Sequence, residues 1–154
     1  MNILNLKRNT LMEVLILLII ITISACLLVC ISLLHVYWAF GGKWGIKAAI
    51  PTESGEKAFT PGTGMTLLVA LLLCIAALLL LLQANVISSF IPHVIVQIGS
   101  WICMFVFGLR VVGEFNYFDI FKRKKDTYFA KMDTMLFIPL CAFLSFSFLL
   151  AIIR

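Results

Sequence analysis

Charged residues are scarce in this chain of 154 residues. Asp, Glu, Lys and Arg together make up 12% of it, whereas 63% is hydrophobic and the mean hydropathy is +1.14. Soluble globular domains carry about 25% charged and 45–50% apolar residues, so most of this apolar surface has to face lipid. The composition excludes a cytosolic enzyme, a secreted disulfide-rich domain and a nucleic-acid-binding domain.

Cysteine and histidine are too few, and too scattered, for the sites that they usually form. The five cysteines lie in apolar runs, their number is odd and no Cys-x-x-Cys occurs, which argues against a disulfide framework. The two histidines, His35 and His93, lie at opposite ends of different apolar segments, about 25–30 Å apart across a bilayer. They cannot share a metal ion or a haem iron, so we expect no metal and no cofactor.

The chain has instead four long apolar segments. They are Leu11–Leu34, Met65–Ala84, Ile91–Leu109 and Met135–Ile153, with 24, 20, 19 and 19 residues. At about 1.5 Å per residue, helices of this length match a hydrocarbon core about 30 Å thick. Backbone amides in lipid have to be paired within their own segment, which makes each segment a helix. The predicted fold is an all-α membrane protein: four transmembrane helices in an antiparallel bundle, forming one integral membrane domain over residues 1–154.

The connections between these segments predict the orientation in the membrane. Residues 85–90 join the second and third segments as a tight hairpin, whereas residues 35–64 and 110–134 form two long loops on the other side. Nine of the 12 Lys and Arg residues lie on the long-loop side. By the positive-inside rule the long loops are cytoplasmic in the cell membrane and both termini are outside. We expect these loops to form a structured cap on one face of the bundle.

Three short motifs have ordinary explanations. Gly-Gly-Lys-Trp-Gly, residues 41–45, is not a phosphate-binding loop, because such a loop needs four residues between its glycines and a hydroxyl after the lysine. Glu13 occupies a position similar to the membrane glutamate of small multidrug exporters, but it lies only two residues into the apolar run and within reach of Lys7 or Arg8. The basic run Lys122–Lys125 is a topology signal that also attracts anionic lipid.

The sharpest candidate site is a pair of opposite charges, Arg110 and Glu114, at the long-loop end of the third segment. Their i, i+4 spacing places them on one helical face. The N-termini of the second and fourth helices lie at the same end, and their positive dipole ends favour an anion. We predict a cradle for an anionic headgroup there, completed by His35, Trp38, Lys43, Trp44 and Asp133. The alternative is an interfacial salt bridge between Arg110 and Glu114, with Asp133 as a helix cap. Both interpretations are open on the sequence alone.

Five stretches of the sequence carry a resemblance: HVYWAFGGKWG at residues 35–45, followed by AIPT, FTPGTG, GEFNYF and FAKMDTMLFIPLC. Through them the chain resembles a family of small bacterial four-helix membrane proteins of unknown function. The resemblance extends over about His35 to Cys141. Its most specific pieces are Tyr-Trp-Ala-x-Gly-Gly and the Pro-Leu-Cys of the fourth segment. It implies a bacterial cell-membrane protein with four spans, and it implies no reaction, ligand or catalytic residue.

The leading hypothesis is a binding module for an anionic membrane lipid or amphiphilic small molecule at the cytoplasmic leaflet. Its predicted ligand-binding residues are Trp38, Lys43, Trp44, Arg110 and Glu114. A second hypothesis is a membrane-embedded lipid isomerase or transferase with His35 and Glu114 as acid and base, the only titratable pair expected together at one membrane depth. A third is a small transporter or a regulatory subunit, partnered by a second copy or another membrane protein. The middles of the segments carry no charge, which argues against transport.

Overall fold

The computed structural model describes residues 3–46, 52–53, 56–57, 62–88, 90–120 and 132–154. The described elements are four long helices, a π-helical turn before the last of them, and one pair of two-residue strands. In chain order these are α1 (Ile3–Ala39), β1 (Thr52–Glu53), β2 (Glu56–Lys57), α2 (Thr63–Gln83), α3 (His93–Ile120), the π-helical turn Asp133–Phe137 and α4 (Ile138–Ile152).

Four helical stretches within these elements are long and apolar enough to cross a membrane. They are Lys7–Ala39, Thr63–Gln83, His93–Val112 and Thr134–Ile152, so the fourth includes most of the π-helical turn. The predicted all-α membrane fold with four helices is therefore confirmed. The two short strands add a small antiparallel pair to the connection after α1, with Thr52 opposite Lys57 and Glu53 opposite Glu56.

Two helices are longer than the apolar segments that predict them. α1 has 37 residues, about 55 Å at 1.5 Å per residue, and its last turns include residues 35–39, which were expected in the first long loop. α3 continues to Ile120, so residues 110–120, which were expected in the second long loop, are helical. Hydropathy detects only the part of a helix that lies in lipid, whereas backbone pairing continues into the headgroup region. Neither helix fits within a hydrocarbon core of about 30 Å.

The helices run alternately up and down. Ser32 near the end of α1 donates a hydrogen bond to the carbonyl of Ala70 near the start of α2, at 2.7 Å. Leu17, earlier in α1, lines the same cavity as Gln83 at the end of α2. We call the end of the bundle at which α1 ends and α2 begins the loop end. The opposite end, which carries residues 84–92 with the start of α1 and the end of α4, is the hairpin end.

The packed core lies among α1, α2 and α4. Its buried members are Ile21, Leu28, Ala76, Ala77, Leu80, Leu144, Phe148 and Ala151. α1 packs mainly on α2, and α3 packs mainly on α4. On α3, Val96 and Ser100 are buried and Phe107 stacks on Phe148 with ring centroids 6.1 Å apart, while most of the described apolar side chains face outward. Outward apolar faces are expected where the solvent is lipid.

Serine hydroxyls connect the helices across the core. Besides the bond from Ser32, Ser145 of α4 donates to the carbonyl of Met104 of α3 at 3.0 Å. The hydroxyls of Ser24 and Ser147 lie 2.7 Å apart and join α1 to α4. Within a membrane such bonds each contribute about 0.6 kcal/mol on average, with a maximum of about 1.7. They mainly determine which faces of the helices meet.

Candidate functional site

At the loop end, α1 terminates in a Schellman motif. The amide of Gly42 donates to the carbonyl of Tyr37, and that of Gly41 donates to the carbonyl of Trp38, each at 3.0 Å. Gly41 has φ of +86°, the left-handed conformation that glycine adopts without steric cost. A Cβ atom on Gly42 would overlap the Tyr37 ring. The two glycines therefore stop the helix and let the chain turn closely against its last residues.

The turn that follows is held against α1 by an indole. Trp38 Nε1 donates a hydrogen bond of 2.7 Å to the carbonyl oxygen of Trp44. The ring of Trp38 in turn contacts the His35 ring edge to face, with centroids 5.1 Å apart and an interplanar angle of 62°. We call residues 41–45 the Lys43 turn. Its position relative to α1 is determined by one side-chain hydrogen bond in addition to the backbone motif.

Two side chains of the Lys43 turn are exposed, Lys43 and Trp44, and the residue Trp44 retains 74% of its accessible surface. Indole rings favour the boundary between hydrocarbon and headgroups, and lysines near that boundary attract anionic lipid. The turn therefore presents a cation and an interfacial aromatic ring together, beyond the last residue of a membrane-spanning helix.

His35 is half-buried and has one hydrogen bond of known direction. Its Nδ1 lies 2.8 Å from the carbonyl oxygen of Ile31. A carbonyl only accepts, so Nδ1 carries the proton of this hydrogen bond. The hypothesis of acid and base catalysis pairs His35 with Glu114, whose side chain lies outside the described residues. Their helices, α1 and α3, are not among the principal packed pairs.

Arg110 is exposed on α3, and the helical backbone is continuous from position 110 through position 114. The i, i+4 spacing therefore does place the two positions on one helical face. The side chain of Asp133 and the run Lys122–Lys125 lie outside the described residues. The structure thus brings His35 and Trp38 together with the Lys43 turn, and it places Arg110 on the other main pair of helices, α3 with α4.

No three His, Cys, Asp or Glu side chains in the described part of the chain lie close enough together to hold a metal ion. The five cysteines of the membrane-spanning helices form no disulfide bonds with one another. The arrangement at the loop end suits attraction of an anion by a positive side chain, together with burial of apolar ligand surface against an indole.

The helix cap at Gly41 and the bond from Trp38 to Trp44 were not predicted. A Gly-Gly pair after the last apolar residues of a helix is a recognised stop signal, so the cap had a signal in the sequence. The hydrogen bond from the Trp38 indole had no signal in the sequence, because it depends on where the turn directs the Trp44 carbonyl. The sequence predicts Trp38 only as a member of the ligand cradle.

Four apolar helices packed around a small core define a multi-pass membrane protein. The chain belongs to the family described as Protein of unknown function (DUF3995), which matches residues 28–148. The match contains the Lys43 turn, α2, α3 and most of α4. The expected membership in a family of unknown function is thereby confirmed. No curated protein and no solved structure matches the chain.

Proposed function

We propose that this protein binds the anionic headgroup of a membrane lipid or amphiphilic small molecule at the loop end, in the cytoplasmic leaflet of a bacterial cell membrane. The observation that carries the proposal is the hydrogen bond of 2.7 Å from Trp38 Nε1 to the Trp44 carbonyl. It holds the exposed Lys43 and Trp44 in one ordered turn next to a membrane-spanning helix. The excess of Lys and Arg on this side supports the cytoplasmic orientation.

Lys43 supplies the attraction in this proposal, and Trp44 supplies apolar contact. A basic residue near an anionic membrane surface contributes about 1 kcal/mol of binding free energy. Because the Lys43 turn is already ordered, less conformational entropy is lost when a headgroup binds. The turn therefore acts as a preorganised headgroup contact at the end of α1.

Arg110 and Glu114 form the second part of the proposed site. Arg110 adds a cation on α3, and position 114 follows one helical turn later on the same face, the spacing at which a carboxylate can orient a guanidinium. The N-terminus of α2 lies at the same end, and its cap residue is Gly62, which has no side chain to accept a hydrogen bond from the first amides of the helix. The positive end of the α2 dipole therefore adds to the attraction for an anion.

The experiment is native mass spectrometry in mild detergent with equal amounts of dioleoyl phosphatidylglycerol, which is anionic, and dioleoyl phosphatidylcholine, which is zwitterionic. The wild type should retain the anionic lipid preferentially. Lys43→Gln and Arg110→Gln should each reduce that preference roughly fivefold, as the loss of about 1 kcal/mol predicts.

Lys7→Gln is the matched control, because Lys7 is an exposed lysine of α1 at the hairpin end, whereas Lys43 follows the other end of that helix. It should leave most of the preference intact. An undiminished preference in the Lys43→Gln, Arg110→Gln double variant would refute the proposal. Equal loss in the Lys7→Gln control would show that only total charge matters, which also counts against a site at the loop end.

A further inference from the structure

The hairpin end holds a cavity of about 230 Å³, at the opposite end of the bundle from the Lys43 turn. Leu17 of α1 and Ala151 of α4 form part of its apolar wall. Its polar side chains are those of Gln83, the last residue of α2, of Asn85 in the turn that follows, and of Arg154 just beyond α4. A concave surface that combines apolar walls with a few polar groups can orient a small ligand.

Gln83 is the unusual member of this wall. The residue is 6% exposed, and its Oε1 is buried without a hydrogen-bond partner among the described residues. Residues 67–82 before it are apolar without exception, so a leucine at position 83 would simply continue the run. A buried acceptor without a partner costs free energy that an apolar residue of similar size would avoid. Its presence beside a cavity points to a donor that enters from outside the chain.

An apolar groove adjoins the cavity. It has a volume of about 410 Å³ and lies between α1 and α4, lined by Ile16, Ile20, Leu150 and Ile153. The groove and the cavity have Leu17 and Arg154 in common. One ligand can therefore occupy both, with a polar head in the cavity and an acyl chain in the groove.

We infer that the hairpin end binds an amphiphile whose head carries one negative charge next to a hydroxyl group. The hydroxyl donates to Gln83 Oε1, the anion faces the exposed guanidinium of Arg154, and the acyl chain lies in the groove. Glu13 also lines the groove, and its carboxylate disfavours a head with more than one negative charge. A membrane glycerophospholipid and a free acylated hydroxy acid share this chemistry.

The test isolates the hydroxyl by comparing ligands of equal charge and equal chain length. Dioleoyl phosphatidylglycerol is compared with dioleoyl phosphatidylmethanol, which has the same phosphodiester and no hydroxyl, by native mass spectrometry in mild detergent. A second comparison uses N-oleoylserine and N-oleoylalanine. The wild type should prefer the hydroxylated member of at least one pair roughly tenfold, since it pairs a buried acceptor. Whichever pair shows the preference identifies the source of the ligand.

Gln83→Leu and Gln83→Met remove the acceptor at nearly constant volume and should abolish this preference while the bundle stays folded. Gln97→Leu is the matched control, because Gln97 is a half-buried glutamine of α3 that does not line the cavity. It should retain the preference. Arg154→Gln should weaken the binding of both phospholipids by the same factor, because the substitution removes a positive charge and leaves the hydroxyl contact unchanged.

Equal binding of both members of each pair to the wild type would overturn the inference and leave water as the partner of Gln83. Persistence of the preference in both Gln83 variants would overturn it as well. Lys43→Gln should not change the hydroxyl preference, which is measured between ligands of equal charge. Repeating the loop-end comparison in Arg154→Gln protein removes the cation of the hairpin-end site. The inference can therefore fail while the site at the loop end stands, and the loop-end site can fail while the inference stands.

Discussion

Both α1 and α2 end in a Schellman motif, yet the polar side chains beside the two motifs differ in burial. At the end of α2 the amide of Val86 donates to the carbonyl of Leu81 and that of Asn85 to Leu82, each at 3.0 Å, with Asn85 at φ of +55°. This is the same hydrogen-bond pattern that Gly41 and Gly42 make after α1. Beside one motif Lys43 is exposed, and beside the other Gln83 is 6% exposed.

Helix length explains much of this difference. α1 is about 55 Å long and extends past the hydrocarbon core, so a polar turn after it meets headgroups and water at no cost. α2 has 21 residues, about 31 Å, so its last residue lies near the boundary of the core. A polar residue there is paired either by the headgroup region or by something within the protein. The same backbone motif is thus followed by an exposed lysine at the loop end and preceded by a buried glutamine at the hairpin end.

The largest loss of stability is expected from a substitution in the core that the two ends share. Phe148 is fully buried among α1, α2 and α4 and stacks on Phe107 of α3. Phe148→Ala should lower the free energy of unfolding by about 3–5 kcal/mol, because it leaves a cavity where the helices meet. Unfolding in mixed micelles, followed by circular dichroism, measures it.

Phe146→Ala is the control for that variant, because Phe146 lies on the same helix and is 53% exposed. It should cost much less, since its ring already contacts the surrounding apolar solvent. Similar losses for the two variants would contradict the placement of the core.

The next largest loss of stability is expected from a substitution that affects only the loop end. Gly41→Ala puts a Cβ on a residue with φ of +86°, and no atom lies within 4 Å of that Cβ. The cost is therefore backbone strain alone, about 1–2 kcal/mol, and it should fall on the loop end. Lipid binding at the hairpin end should not change. Gly64→Ala, also without neighbours within 4 Å but inside α2, should be neutral or stabilising.

A somewhat smaller effect is expected for Trp38→Phe, which retains an aromatic ring and removes the donor to the Trp44 carbonyl. The loss of one hydrogen bond should cost about 1 kcal/mol and loosen the Lys43 turn. Hydrogen exchange of a peptide containing residues 40–46 should become faster, while peptides from residues 84–92 stay unchanged. Trp101→Phe on α3 is the control, and unchanged exchange in residues 40–46 of Trp38→Phe would contradict the role of the indole.

The smallest effect is expected midway between the two ends, at Ser24→Ala. The hydroxyls of Ser24 and Ser147 have two hydrogens for three short contacts, since each also lies 2.8 Å from a carbonyl of its own helix, Ile20 or Phe143. Ser147 therefore keeps a partner when Ser24 is lost. We expect a cost of about 0.6 kcal/mol by the same micelle unfolding, and a loss above 2 kcal/mol would show that the pair does more than connect two helices.

Much of the architecture could be predicted because lipid imposes simple rules. An unbroken apolar run such as Leu67–Leu82 has to pair its own backbone, so its helix and approximate limits follow from the sequence. The spacing of Arg110 and Glu114 likewise indicated one helical face, and α3 is helical through both. The extension of α3 to Ile120 could not be predicted from hydropathy, because beyond the lipid core helix formation no longer requires apolar residues.

The candidate sites were less predictable. Lys43 and Trp44 were identified by type and by their place after an apolar run, whereas the bond that orders their turn depends on the direction of one carbonyl. Gln83 has no distinguishing motif, and only its neighbours in space make it notable.

By itself, the sequence determined that this is a four-helix membrane protein, because the length of an apolar run and the cost of unpaired amides in lipid leave no other outcome. Only the tertiary structure decided which polar side chains at the two ends face outward and which line a cavity. Gln83 and Gln97 are chemically identical, and only Gln83 lines the cavity at the hairpin end. That choice depends on the rotation of each helix and on what packs against it, and neither is encoded in the residue type.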